Sequence, residues 1–345
     1  DTPMFWYYDY EVGQVVVDTL DIKGRTAGDA DNNPEPSFIG FGITGIGAYQ
    51  SRLILLNGSY VNMSKSNDPS VFMRTTVTEL LDDDPIEISS TSLSNAQFEY
   101  AIPYNKDLVL FSSTQQAVIP ANSTVLTPKT AVIYPSTQTE VSLAVRPTTT
   151  GRSLYYVYQR GLDYYQAGEL IPNQYTDAQY YPQNLTDHLP LYATGVCTGM
   201  AGSSTNNMVA FSSDSPEVLI NQFLWQGDQR SIMGFHKWVL PRAVVDVEFL
   251  QEYNVLFVAD TDGKTLVLTT NTQLNQLRNK PVPFLDIYQY VETDADGKGT
   301  LQYVPDGDLV GVVYDEINYR HMEIELDVDS NGNVQCNHTG TIAVG

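Results

Sequence analysis

Charge is scarce in this chain, and what there is leans one way. Only 17% of the 345 residues are Asp, Glu, Lys or Arg, against ~25% in ordinary globular domains. Basic residues are the rarer sign, 18 against 41 acids, so the net charge is −23. Such a chain repels nucleic acid phosphates, which excludes a conventional DNA-binding module. It does not exclude a conduit that DNA passes without sticking, and the charge also serves solubility. Cysteine is almost absent. Cys197 and Cys336 lie far apart and form no metal-ligand spacing, which excludes a disulfide framework and points to free thiols in a reducing cytoplasm. No apolar run reaches the ~18 residues of a membrane span, and no signal peptide is visible. The chain opens at Asp1 without an initiator Met, so a piece of a longer chain is expected.

Helical periodicity is nearly missing too. Val77–Leu81 and Gln273–Leu277 are the only stretches granted a helical turn. Polarity comes instead from Ser, Thr, Asn, Gln and 23 tyrosines, the surface of a β protein. Strand signals recur at close spacing. Arg52–Leu56 turns at Asn57-Gly58 into Ser59–Met63, Asn-Gly being the strongest two-residue hairpin signal. Asp107–Ser112 is expected to pair with Gln116–Ile119, and Met208–Ser212 with Leu219–Trp225. Ser153–Gln159 carries aromatic β-formers. Asn254–Thr269 reads as a hairpin turning at Thr261-Asp262-Gly263. Gln289–Val291 and Thr300–Val304 flank a turn at 294–299, and Asp308–Tyr314, His321–Val328 and Val334–Val344 continue the pattern. This is an all-β chain, a sandwich, barrel or propeller, without the tight repeat of a regular propeller.

Candidate motifs are weak in context. Gly40-Phe41-Gly42-Ile43-Thr44-Gly45 copies the dinucleotide fingerprint, but a strand follows where a helix N-terminus must hold the pyrophosphate; a Gly-rich turn is the better reading. Asp327-x-Asp329-x-Asn331-Gly332 copies half an EF-hand loop, yet its twelfth position is His338 and not the bidentate Glu that calcium needs. Glu292-x-Asp294-x-Asp296-Gly297 fails likewise, with Tyr303 at the twelfth. Both read as acidic hairpin turns, weak surface calcium sites staying open. Asp82-Asp83-Asp84-Pro85 reads as a solvated turn ahead of a metal or lumen-facing site. His188, His236, His321 and His338 lie at no ligand spacing. Asn57, Asn62, Asn122, Asn184 and Asn337 head glycosylation sequons by composition. No catalytic, cofactor-binding or metal residue is assigned, and no cofactor is expected. A carboxylate pair for glycan hydrolysis is made in space and not in sequence.

Several stretches, in order, resemble the tail nozzle proteins (tail tubular protein B) of short-tailed bacteriophages. DNNPEPSF at Asp31–Phe38 with YQSRLILLNGSYVNMS at Tyr49–Ser64 is similar to that family's N-P-x-P-S-F and Q-x-R-L followed by a Met-Ser pair. ELLDDDPIEI from Glu79, DLVLFS from Asp107 and LTPKT at Leu126–Thr130 match L-x-D-x-D-P-I, L-x-L-F and L-T-P-K-T. Arg146-Pro147, Leu154–Gly161, Thr186–Pro190, Ala201–Asn206 and the hairpin Phe223–Trp238 follow. Beyond Leu250 the likeness thins to a strand pattern and Phe284–Val291. The resemblance implies a β-propeller-like platform over 1–275 and an additional small β domain over 276–345, truncated at its end. It implies a structural, non-enzymatic subunit of a homo-oligomeric, hexameric ring below the tail adaptor, near tail fibres. Genomic DNA would pass without sequence-specific binding. The virion tail is the expected location, after assembly in the host cytoplasm. Lumen and interface residues stay unassigned. The competing readings are a virion carbohydrate- or receptor-binding module and a glycan hydrolase.

Overall fold

A computed structural model describes residues 3–345 except 94, 122–124, 174, 175, 177, 228, 241, 251–254, 262, 264, 270–284, 286, 287, 305, 306, 316, 318 and 319. It divides into two compact units, 1–204 and 205–345.

The first unit opens on a lone hairpin, β1 (Met4–Asp9) and β2 (Gln14–Thr19). Three four-stranded antiparallel sheets follow. The first is β3 (Gly45–Tyr49), β4 (Arg52–Asn57), β5 (Tyr60–Met63) and β6 (Ile86–Ile88). The second is β7 (Tyr100–Tyr104), β8 (Asp107–Phe111), β9 (Gln116–Ile119) and β10 (Tyr134–Thr137). The third is β11 (Thr148–Thr150), β12 (Ser153–Arg160), β13 (Tyr164–Pro172) and β14 (Tyr180–Asn184). β15 (Cys197–Ser203) closes the unit. In each sheet chain order equals strand order, the up-and-down meander from which propeller blades are made.

β8 shows why the sheets stack. All five residues of DLVLF are buried, and side chains alternate between faces. Leu108 and Leu110 meet Ile54, Leu56, Val61 and Met63 of the first sheet. Val109 and Phe111 meet Leu154, Tyr156 and Leu170 of the third. The second sheet is therefore covered on both faces, which is why its strand reads as a continuous apolar run.

The second unit holds β16 (Met208–Ser213), β17 (Glu217–Gln226) and β18 (Gln229–Val239), then β19 (Val244–Leu250), β20 (Val255–Asp260) and β21 (Thr265–Thr269). Its last strands form two sheets. β22 (Gln289–Thr293), β24 (Gly311–Asp315), β25 (Arg320–Ile324) and β28 (Gly340–Val344) make one, in the order β22-β28-β24-β25. β23 (Lys298–Thr300), β26 (Leu326–Val328) and β27 (Asn333–Cys336) make the other, in the order β23-β27-β26. They share a core of Val291, Leu301, Val313, Val334 and Ile342.

The chain is all-β, and the hairpins expected at 107–119, 208–225 and 254–269 form. Four expectations need correction. Val77–Leu81 is not helical but a run of bends; a five-residue segment cannot repay helix nucleation once loop contacts claim its backbone. The first hairpin turns one residue later than Asn57-Gly58 suggests. Asn57 pairs with Tyr60 as a strand residue, its side-chain amide donates to the Ser37 carbonyl at 2.6 Å, and Gly58 alone takes positive φ. The strands around 294–299 do not pair with each other: β22 pairs β28 and β23 pairs β27. His321–Val328 is likewise split between two sheets. Gln273–Leu277, Asn122 and Asp262 lie outside the described residues, as does the expected boundary at 275/276.

Candidate functional site

Two groups of the singled-out residues are brought together, and each is a polar node holding loops. The first lies under β4. Arg52 is 2% exposed. Its guanidinium donates to the backbone carbonyls of Ser64 (2.8 Å), Asp84 (2.7 Å) and Asp82 (3.0 Å). Burial pulls its pKa down, and the Asp83 and Asp84 carboxylates push it back up. Asp84 is fully buried, its Oδ2 accepting the Leu81 amide at 2.9 Å, so the solvated-turn reading fails at this position. The three chain-end donors of Arg52 turn the loop inward, and Asp84 goes with it. Asp82 and Asp83 stay at the surface beside Lys129 (3.7 Å) and Lys65 (3.2 Å).

The residues in this node come from the stretches that carry the family resemblance. Gln50 Oε1 accepts the Leu126 amide at 2.7 Å, tying YQSRL to LTPKT. Ser64 Oγ accepts the Leu53 amide at 3.0 Å. The Asn33 side chain donates to the Ala27 and Arg74 carbonyls and accepts from the Arg74 amide. Phe38 stacks edge-on against Phe72, ring centroids 5.1 Å apart. These residues hold loops 21–44 and 64–85 against the first sheet. Sequence reading missed this role, because Arg52 and the Asp82–Asp84 run lie thirty residues apart and no local pattern links them.

The second node joins both acidic turns. β23, β27 and β26 place Lys298, Gln335 and Asp327 in one cross-strand row, with Thr300 and Asn333 in the next. With Asp294 and Asp329 they line an open concavity of about 640 Å³. The turns are built alike. Asp294 Oδ1 accepts the amides of Asp296 (2.9 Å) and Lys298 (2.8 Å), and Gly297 takes the left-handed φ of 72°. Asp329 Oδ1 accepts those of Asn331 (2.8 Å) and Asn333 (2.9 Å), and Gly332 takes a φ of 80°. Hydrogen bonds from the Asn333 side chain and backbone hold the Asp329 carboxyl below its usual range. The Asp-x-x-Gly pattern is thus a bulged turn whose first carboxylate pins its own loop. At the twelfth positions, the His338 carbonyl accepts from Thr293 Oγ1 at 2.8 Å. Among the described residues no group of three or more His, Cys, Asp or Glu could hold a metal ion.

The other candidates stay apart. Gly40–Gly45 is a turn running into β3, with Gly40 and Gly42 at positive φ. His236 lies on β18, its pKa lowered by burial, and His321 lies on β25 against Tyr314. Asp107 and Glu169 are buried, out of reach of a polysaccharide. Asn62, heading one sequon, is buried and donates to Ser37 Oγ. Cys197 and Cys336 are free thiols, both buried. No helix among the described residues is long and apolar enough to cross a membrane.

Meander sheets stacked through shared apolar cores, with buried polar groups tied to loops, define an all-β protein of blade-like sheets. Residues 9–301 match the family described as bacteriophage nozzle protein, and the chain belongs to that family. It is a structural protein of the phage tail. One curated relative, the tail tubular protein gp12 of Escherichia phage T7, is 27% identical over 221 residues, 64% of this chain. The chain spans about 28% of that relative's length. Among solved structures, a Dos1 propeller overlays 88% of this chain and 67% of its own at TM-score 0.43 and 9% identity. A streptogramin B lyase overlays 91% and 96% at TM-score 0.40 and 9% identity. Overlays this shallow bear on neither fold nor function.

Proposed function

We propose that the chain forms part of the wall of a DNA-ejection channel, as one subunit of a hexameric tail nozzle ring below the tail adaptor, with tail fibres nearby. The observation that carries this is the family match over residues 9–301. The excess of carboxylates supports it. A net charge of −23 leaves few attractive contacts for passing phosphates, so genomic DNA slides without sequence-specific binding. Two buried free thiols suit assembly in a reducing host cytoplasm. The subunit has no catalytic role; its buried carboxylates serve packing and loop geometry. An additional small β domain follows the propeller-like platform in the chain, a division supported by the separate core around Val313 and Ile342.

The test is the mass of the intact full-length protein, alone and mixed with its tail adaptor. A six-subunit ring in either condition is the expected result. A persistent monomer in both would refute the reading.

A further inference from the structure

Apolar burial holds the three sheets of the first unit together, but it is non-directional and fixes no register between them. Directional bonds converge instead on one place, the two-residue turn Asn105-Lys106 that joins β7 to β8. Tyr49 of β3 donates its hydroxyl to the Lys106 carbonyl at 2.6 Å. The Tyr104 hydroxyl of β7 lies 2.5 Å from the Arg152 carbonyl and 3.1 Å from that of Leu170, both within β11–β13. Tyr180 of β14 donates to Asp107 Oδ2 at 2.8 Å, its ring centroid 5.3 Å from that of Tyr104. A tyrosine from each sheet thus reaches a group of a neighbouring sheet.

Asp107 is the weak member of this joint. It is 1% exposed, and among the described residues its Oδ1 has no hydrogen-bond partner. A buried polar oxygen left unpaired is unfavourable, and water satisfies it once the contact opens. The cost is larger for a carboxylate than for a neutral amide of the same shape. The turn therefore carries both the bonds that tie the sheets and one group that gains by leaving. Tyr104, Asp107 and Tyr180 are all buried within the first unit, so the joint needs no partner to form.

We infer that the 104–107 turn is a releasable clamp. The hydroxyls of Tyr49, Tyr104 and Tyr180 fix the three sheets in register, and the half-satisfied Asp107 lets the third sheet part from the second without unfolding either. The test is amide hydrogen exchange on the full-length protein, which reads local opening strand by strand. Asp107→Asn keeps an acceptor for Tyr180 and puts a neutral amide in place of the carboxylate, so exchange in β7, β8, β13 and β14 is expected to slow about tenfold. Tyr180→Phe strips Asp107 of its donor, and exchange in the same strands is expected to rise about a hundredfold while β4 and β5 stay unchanged. Faster or unchanged exchange in Asp107→Asn makes the carboxylate an ordinary structural contact and overturns the clamp. A rise in Tyr180→Phe spread evenly over β3–β14 overturns it as well, because the joint then has no opening of its own. Should Tyr180→Phe fail to fold, the sign of the Asp107→Asn change decides alone. Ring assembly plays no part in the readout, so the outcome is independent of the nozzle reading.

Discussion

Replacing Arg52 with Met removes the guanidinium while keeping an unbranched apolar stem in the same space. Three backbone carbonyls then lose their donor, those of Ser64, Asp84 and Asp82. A hydrogen bond from a charged donor contributes roughly 1.5–3 kcal/mol, and a buried carbonyl left unpaired costs ~1–3 kcal/mol. The Asp82 carbonyl is the most accessible of the three and can turn to water, so its loss costs little. The Ser64 and Asp84 carbonyls lie inside. Desolvating the guanidinium was itself unfavourable, and that penalty disappears with it. The balance is a destabilisation of about 3–5 kcal/mol, a large share of the ~5–15 kcal/mol that holds an ordinary domain together. A two-unit chain need not unfold in one step, so the readout should be local. Hydrogen exchange across residues 50–86 should rise by two to three orders of magnitude at constant pH, while exchange in 289–345 stays unchanged. Arg52→Lys should recover only part of the loss, because one ammonium cannot serve three carbonyls at once. The effect should not vary with pH, since the guanidinium stays charged throughout. A change below about 1 kcal/mol, or one spread evenly over both units, would refute the claim that Arg52 holds the 64–85 loop.

Three further outcomes are expected. Burial first, then neighbouring acids and tyrosines, raises the pKa values of Tyr104 and Tyr180 well above the ordinary 10. The folded state therefore keeps protons that the unfolded chain releases, and stability present below pH 10 should be lost as pH rises beyond it; absorbance near 295 nm should show these phenols ionising only together with unfolding. Asp68, hydrogen-bonded first to Lys23 and then to Ser70, has its pKa lowered to about 2. Its contribution is complete above the unfolded value near 4 and fades toward pH 2; a carboxyl titration by NMR with a midpoint near 4 would contradict the Lys23 contact. Gly297→Ala should cost at least ~2 kcal/mol by thermal melting, because φ is positive and a Cβ would sit 1.9 Å from the Cys336 carbonyl oxygen. Gly58→Ala, at positive φ but with open space around it, should by comparison cost only the backbone strain of about 1–2 kcal/mol.

Much of the local structure was legible because turns and strands are written in short range. Asp-x-x-Gly at 294–297 and 329–332 announces a left-handed glycine after a side-chain-capped bend, and both form. Asp107–Phe111 is legible as a strand, although a continuous apolar run hides which residue faces which core. The candidate site was less legible. Arg52 and Asp84 are separated by a loop with no periodic signal, and only folding shows that their backbones and side chains share one buried node. The pairing of β23 with β27 and of β22 with β28 was equally hidden, because the turn at 294–299 looks like an ordinary hairpin until distant strands claim both its arms.

The amino-acid sequence by itself determined an acidic, cysteine-poor, all-β chain with its turns near their true places, since charge, composition and turn chemistry are local properties. Its ordered motifs also carried the family, now established over residues 9–301. Tertiary structure alone decided what those motifs do. Arg52, Asn33, Gln50 and Asp84 form a buried scaffold, and the aromatic residues of β1 were left in solvent while other tyrosines went to the core. The physical reason is that burial and hydrogen-bond satisfaction depend on neighbours brought together in space, which no window along the chain contains.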